Sequence, residues 1–80
     1  MKKVTVRFFA VFREAAGVGE LEVETPAGSV LELFTEMTRR FDGLEHEPAA
    51  LVAINDHMVA WEQGLSDGDQ VLFFPPVAGG

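Results

Sequence analysis

One stretch of this 80-residue chain repeats its apolar residues on a helical period. Val30, Leu33, Phe34, Met37 and Phe41 recur at spacings of three and four, so they share one face of a helix. Ser29 opens that helix, and Glu32, three residues on, supplies the acidic member of a Ser-x-x-Glu capping box. Glu32, Glu36, Arg39 and Arg40 fall largely outside the apolar stripe, and the two arginines near its C-terminal end suit the helix dipole. Gly43 is the expected left-handed stop. An aromatic and methionine stripe at this spacing is core, and it needs a second layer to cover it.

The flanking segments supply that layer, because they alternate on a period of two. Residues 4–9 read as a first strand, with Val4, Val6 and Phe8 on one side and Thr5, Arg7 and Phe9 on the other. Residues 12–16 make a short turn, possible as a helix, stopped by Gly17. Residues 20–25 alternate again, with Leu21 and Val23 inward and Glu20, Glu22 and Glu24 outward; the two strands are expected to pair antiparallel. After the helix come a short, mostly buried strand at 51–54, a turn at Asn55-Asp56-His57, a second short strand at 58–61 and a tight turn at Ser66-Asp67-Gly68-Asp69. Residues 70–74 form the final strand. The first and last strands are the most apolar, which suits central positions. The order β-β-α-β-β-β gives an α+β fold, a mixed sheet packed against one main helix. That is the β-grasp, or ubiquitin-like, arrangement.

The composition removes several functions. A chain this short is one domain, and it buries only about 60–65% of its unfolded surface. Its hydrophobic fraction of 48% is enough for a modest core. There is no cysteine, so disulfides, thiolate metal sites, a cysteine nucleophile and a persulfide are all excluded. The net charge of −7 argues against nucleic-acid binding and suits approach to a basic protein surface. Residues 4–9 alternate and carry a charge, unlike a secretory core, and no stretch approaches membrane-spanning length. A cytoplasmic protein with neither a nucleic-acid nor a membrane partner is expected. His46 and His57 lack a second ligand at short spacing, and Asp67-Gly68-Asp69 lacks the ligand series of a calcium loop, so no metal is expected. No nucleophile motif or phosphate loop is present, which leaves the body without an independent active site.

Two features remain for function. Residues 75–80 form a tail beyond the domain of residues 1–74. Pro75 and Pro76 hold its base extended, and Gly79-Gly80 has no side chains to keep it from a narrow channel. Beside it, strand alternation places Arg7, Phe9, Leu72 and Phe74 on the sheet face away from the helix, where exposed aromatics mark a docking patch.

Leu65-Ser66-Asp67-Gly68-Asp69-Gln70-Val71 followed by Phe73-Phe74-Pro75-Pro76-Val77-Ala78-Gly79-Gly80 resembles the small subunit of molybdopterin synthase, a ubiquitin-like sulfur-carrier family. Phe8-Phe9-Ala10 with Arg13-Glu14, and Ala53-Ile54-Asn55, carry the same likeness. Ala78 is a mild departure, since that position is often a small hydroxyl residue in the family. The resemblance implies that an E1-like adenylating enzyme, using ATP, activates the Gly80 carboxylate. A sulfur-donor protein then allows its conversion to a thiocarboxylate. It further implies a large synthase subunit as partner, in a heterotetramer of two small and two large subunits, and sulfur transfer to cyclic pyranopterin monophosphate. No cofactor bound to the chain itself is implied. Three alternatives stay open: a sulfur carrier for thiamine or a sulfur amino acid, a ubiquitin-like protein modifier, and a plain interaction module. The Phe-Pro-Pro stalk speaks against thiamine.

Overall fold

A computed structural model describes residues 1–76. It contains β1 (Lys2–Phe8), α1 (Ala10–Ala16), β2 (Glu20–Thr25), α2 (Val30–Arg40), β3 (Leu51–Ile54), β4 (His57–Val59) and β5 (Gln70–Phe74). The strands form one sheet in the order β2-β1-β5-β3-β4. β1 and β5 run parallel, and the other neighbouring pairs are antiparallel. The two most apolar strands therefore lie inside the sheet, as expected, and the architecture is the β-grasp. No helix among the described residues is long and apolar enough to cross a membrane.

The inward rows of the strands and the apolar face of α2 make one core. Val4, Val6 and Phe8 of β1, Val52 of β3, and Val71 and Phe73 of β5 are buried against Val30, Leu33, Phe34 and Met37 of α2. Phe34 lies at the centre. Its ring meets Phe73 at 4.8 Å, Phe12 at 5.3 Å and Trp61 at 5.6 Å between centroids, all three tilted or edge-on rather than flat, the favourable arrangement for aromatic quadrupoles. Of the residues expected inside, Leu21 and Phe41 are only partly buried. Phe12, Ala16, Leu44, Ala50 and Leu65 join from loops and α1, where no period announces them.

Both ends of α2 depart from the sequence expectation in detail. The Ser29 hydroxyl accepts from the Glu32 backbone N–H at 3.2 Å, as an N-cap should. The Glu32 carboxylate accepts from that same hydroxyl at 3.4 Å. The N–H groups of Val30 and Leu31 donate to the carbonyls of Gln63 and Trp61, so a distant loop satisfies the first turn. At the other end Gly43 is not a left-handed stop; only Gly17 and Gly68 have positive φ among the described glycines. The helix stops because Phe41 leaves it extended, with φ −120°, and turns its ring edge-on to Phe8 at 6.0 Å. Leu44, almost fully buried, follows it into the core.

Two further boundaries shift. The turn expected at 12–16 is a helix beginning at Ala10 and capped by Gly17 at φ 78°. His57 belongs to β4 rather than to the turn, pairing with Ile54. Asn55 and Asp56 alone make the turn, at φ 50° and 70°, the double left-handed geometry of a two-residue hairpin. The Ser66–Asp69 segment is a turn held by its own acids. Asp69 Oδ2 accepts from the Ser66 N–H at 2.8 Å, and Asp67 Oδ1 accepts from the Lys3 N–H at 2.7 Å.

Candidate docking groove at the base of the tail

The sheet face away from α2 changes character along the strands. It is polar where β1 and β2 begin to pair: Lys3 faces Glu24, and Glu22, Thr5 and Gln70 stand side by side on β2, β1 and β5. The next row runs Glu20, Arg7, Leu72, Ala53 and Met58 across all five strands. In the last row Phe74 faces Leu51, and Phe9 stacks on Phe74 at 4.7 Å with ring planes 13° apart. The face is thus most apolar at the end of β5, where the chain enters Pro75-Pro76.

An open groove of about 550 Å³ lies there. Phe9, Leu51, Met58 and Phe74 line it together with Val11 of α1 and with Pro75 and Pro76 at the base of the tail. Leu51 is 56% exposed and Met58 58% exposed, an unusual placement for large apolar side chains on one contiguous surface. Arg7 stands at the rim. Its Nε lies 3.3 Å from Glu20 Oε1, and its guanidinium sits 5.6 Å from the Phe9 ring centroid. The stack Arg7–Phe9–Phe74 ties the rim to the residue from which the tail leaves.

Of the site residues read from the sequence, Arg7 is exposed, Phe9 and Phe74 are half-buried and in contact, Pro75 is half-buried and Pro76 exposed. Leu72 is different. It is on the expected face but only 9% exposed, because it sits on a central strand between Arg7 and Ala53. Leu72 is therefore covered within the sheet and does not line the groove, so it is not a surface that a partner reaches. Gly79 and Gly80 lie outside the described residues. Sequence reasoning missed Val11, Leu51 and Met58. Leu51 and Met58 were read simply as strand residues; the signal that finds them is cross-strand register, which sets Leu51 opposite Phe74.

The sequence pattern of the ThiS family matches residues 6–80. The chain is 38% identical over 81 residues to the molybdopterin synthase sulfur carrier subunit of Escherichia coli, covering 96% of this chain and 99% of that one. It is 34% identical over 92 residues to small archaeal modifier protein 3 of Haloferax volcanii, covering 98% and 99%. Among solved structures, a putative molybdopterin converting factor subunit 1 from Pyrococcus furiosus superposes with a TM-score of 0.82 at 39% identity, covering 96% of this chain and all of that one. A complex of subunits 1 and 2 of molybdopterin-converting factor from Helicobacter pylori matches with a TM-score of 0.65 at 30% identity, over 98% and 99%. The chain belongs to the ThiS family.

Proposed function

We propose that this member of the ThiS family is the sulfur-carrier subunit of a molybdopterin synthase. The observation that carries the reading is the apolar groove beside Pro75-Pro76: a partner seated on Phe9, Leu51, Met58 and Phe74 is led directly onto the tail. The relatives support it, since one is a sulfur carrier subunit of that enzyme and another is solved in complex with its subunit 2.

The chemistry belongs to Gly80. Its carboxylate attacks the α-phosphorus of ATP on an E1-like adenylating partner, forming the acyl-adenylate and releasing pyrophosphate. This step replaces a poor leaving group by a good one. A sulfide equivalent brought by a donor protein then attacks the carbonyl carbon; the C–S bond forms and AMP departs. The thiocarboxylate is ionised near neutral pH and is a soft nucleophile. On the large synthase subunit it delivers sulfur to cyclic pyranopterin monophosphate, and hydrolysis restores the carboxylate. The chain lacks cysteine, so no side chain competes for the sulfur.

Intact mass after incubation with the adenylating enzyme, ATP and sulfide tests the reading. The expected product carries sulfur in place of one oxygen, located at Gly80 by fragmentation. An unchanged mass while the same enzyme charges another carrier overturns it. The likeness to a small archaeal modifier protein favours a second reading, attachment of Gly80 to protein lysines. Isopeptide conjugates recovered from cells, without pterin sulfuration, would identify that role instead.

A further inference from the structure

A second hollow adjoins the groove, and its chemistry is opposite. It has a volume of about 450 Å³ and is lined by Arg7, Phe9, Ala10, Arg13, Gly19 and Glu20 among others. Phe9 and Ala10 belong to both hollows, so the two share a wall. Two of the six Lys and Arg side chains of a chain with net charge −7 meet here.

Local structure brings them together. Ala10 has φ 51°, a left-handed conformation costly outside glycine, and it turns the chain sharply from β1 into α1. Arg13, one helical turn on, returns to the side of Arg7. Gly19 leaves the room: a Cβ there would stand 3.1 Å from Arg13 Nε and 3.3 Å from Cζ. Its φ is not positive, so the backbone makes no demand for glycine at this position; the missing side chain lets the Arg13 guanidinium lie close over it. Arg7 is engaged by Glu20 and by the Phe9 ring, whereas Arg13 has no carboxylate within ion-pair distance among the described residues.

We propose that this hollow receives an Asp or Glu side chain of the protein that docks on the apolar groove, with Arg13 as its main donor and Arg7 as the second. The inference rests on the docking reading above. Guanidinium groups present planar pairs of N–H donors that match a carboxylate. The placement also restricts register. A basic partner surface attracts this acidic chain in many orientations, but only some of them set a partner carboxylate on the arginine-lined hollow beside the groove. Glu20 lines the same space and opposes the incoming acid, so it weakens the contact.

The test is association of the cognate large synthase subunit with the full chain, followed kinetically over a range of ionic strength. Arg13→Gln is expected to slow association about tenfold at low salt and to flatten the salt dependence, as removal of a rim charge does. Gly19→Leu keeps every charge but fills the space of the Arg13 side chain, and it should weaken binding in the same direction. Glu20→Gln should tighten binding severalfold. Phe74→Ala reports on the groove by itself and should weaken binding at every ionic strength with the salt dependence unchanged. If Phe74→Ala weakens binding while Arg13→Gln and Gly19→Leu match the parent, the hollow lies outside the interface and the proposal fails, though docking stands. If Phe74→Ala also matches the parent, both fail. Slowing by Arg13→Gln without any effect of Gly19→Leu means net charge alone acts, which also overturns the site. In an Arg13→Glu background, one Asp→Lys or Glu→Lys change in the partner should restore binding; a complete scan with no rescuing position shows that no carboxylate occupies the hollow.

Discussion

Phe73 and Phe74 are neighbours in β5, and the sheet puts the same side chain to opposite uses. Phe73 is fully buried, stacked and edged by Phe8, Phe34 and Trp61. Phe74 is half-buried on the other face, with Phe9 as its aromatic partner and the open groove beside it. The covered face has α2 for a lid. The other face has no helix lying across it, only the start of α1 beside the groove, and it is apolar at the end nearest the tail. Burial stabilises the fold in the first case; in the second, apolar surface stays open to solvent. The physical difference is one layer of cover, not residue type.

That division can be broken by experiment. The largest effect is expected beyond both faces. Adding one residue after Gly80 turns its carboxylate into an amide and should abolish sulfur transfer while thermal unfolding stays at the parent temperature. Full activity, with the extra residue still present by mass, would refute terminal chemistry at Gly80. Next comes the covered face: Phe34→Ala should cost about 3–5 kcal/mol in chemical denaturation, the usual penalty for a large core cavity. A loss below about 1 kcal/mol would mean that the helix face is not the core.

The groove should behave in the reverse way. Phe74→Ala is expected to weaken the complex with the large subunit by about 1–3 kcal/mol in calorimetry, as truncated interface aromatics do, with a smaller change in folding stability. Unchanged affinity for both Phe74→Ala and Phe9→Ala would remove the outer face from the interface. Met58→Ala sharpens the contrast at the small end. An exposed side chain contributes within about 0.5 kcal/mol to folding, so stability should hold while affinity falls. A stability loss as large as that of a core residue would show that Met58 is already covered in the free protein.

How legible all this was in the sequence differs by element. The limits of β2 follow from alternation, those of β3 and β5 from short apolar runs beside turn residues, and the start of α2 follows from Ser29 and Glu32 in a four-residue window. The end of α2 was not legible. Gly43 looked like the stop, but the decisive contact is between Phe41 and Phe8, 33 residues apart in sequence numbering. The site shows the same split. Phe74 was visible because it sits on a predictable face of β5, and Phe9 because the alternation of β1 carries on one extended residue past the strand's end at Phe8. Leu72 was on the right face and still buried, since neighbours on both sides of a central strand cover it.

By itself the sequence determined the period of the helix and of the first strands, the single amphipathic helix, the places of the turns, the two faces of β1 and β5, and a proline-stiffened tail with two glycines at its tip. These are properties of residues within a few positions of one another, where backbone geometry and side-chain direction set the outcome. Only the tertiary structure decided which of the outward residues are covered. It also decided that Leu51 and Met58 join Phe74 in one groove, and that Arg13 swings over Gly19 to stand beside Arg7. Those arrangements depend on strand order and on loops that cross it, and no period within the chain encodes the distance between segments that meet only when the sheet closes.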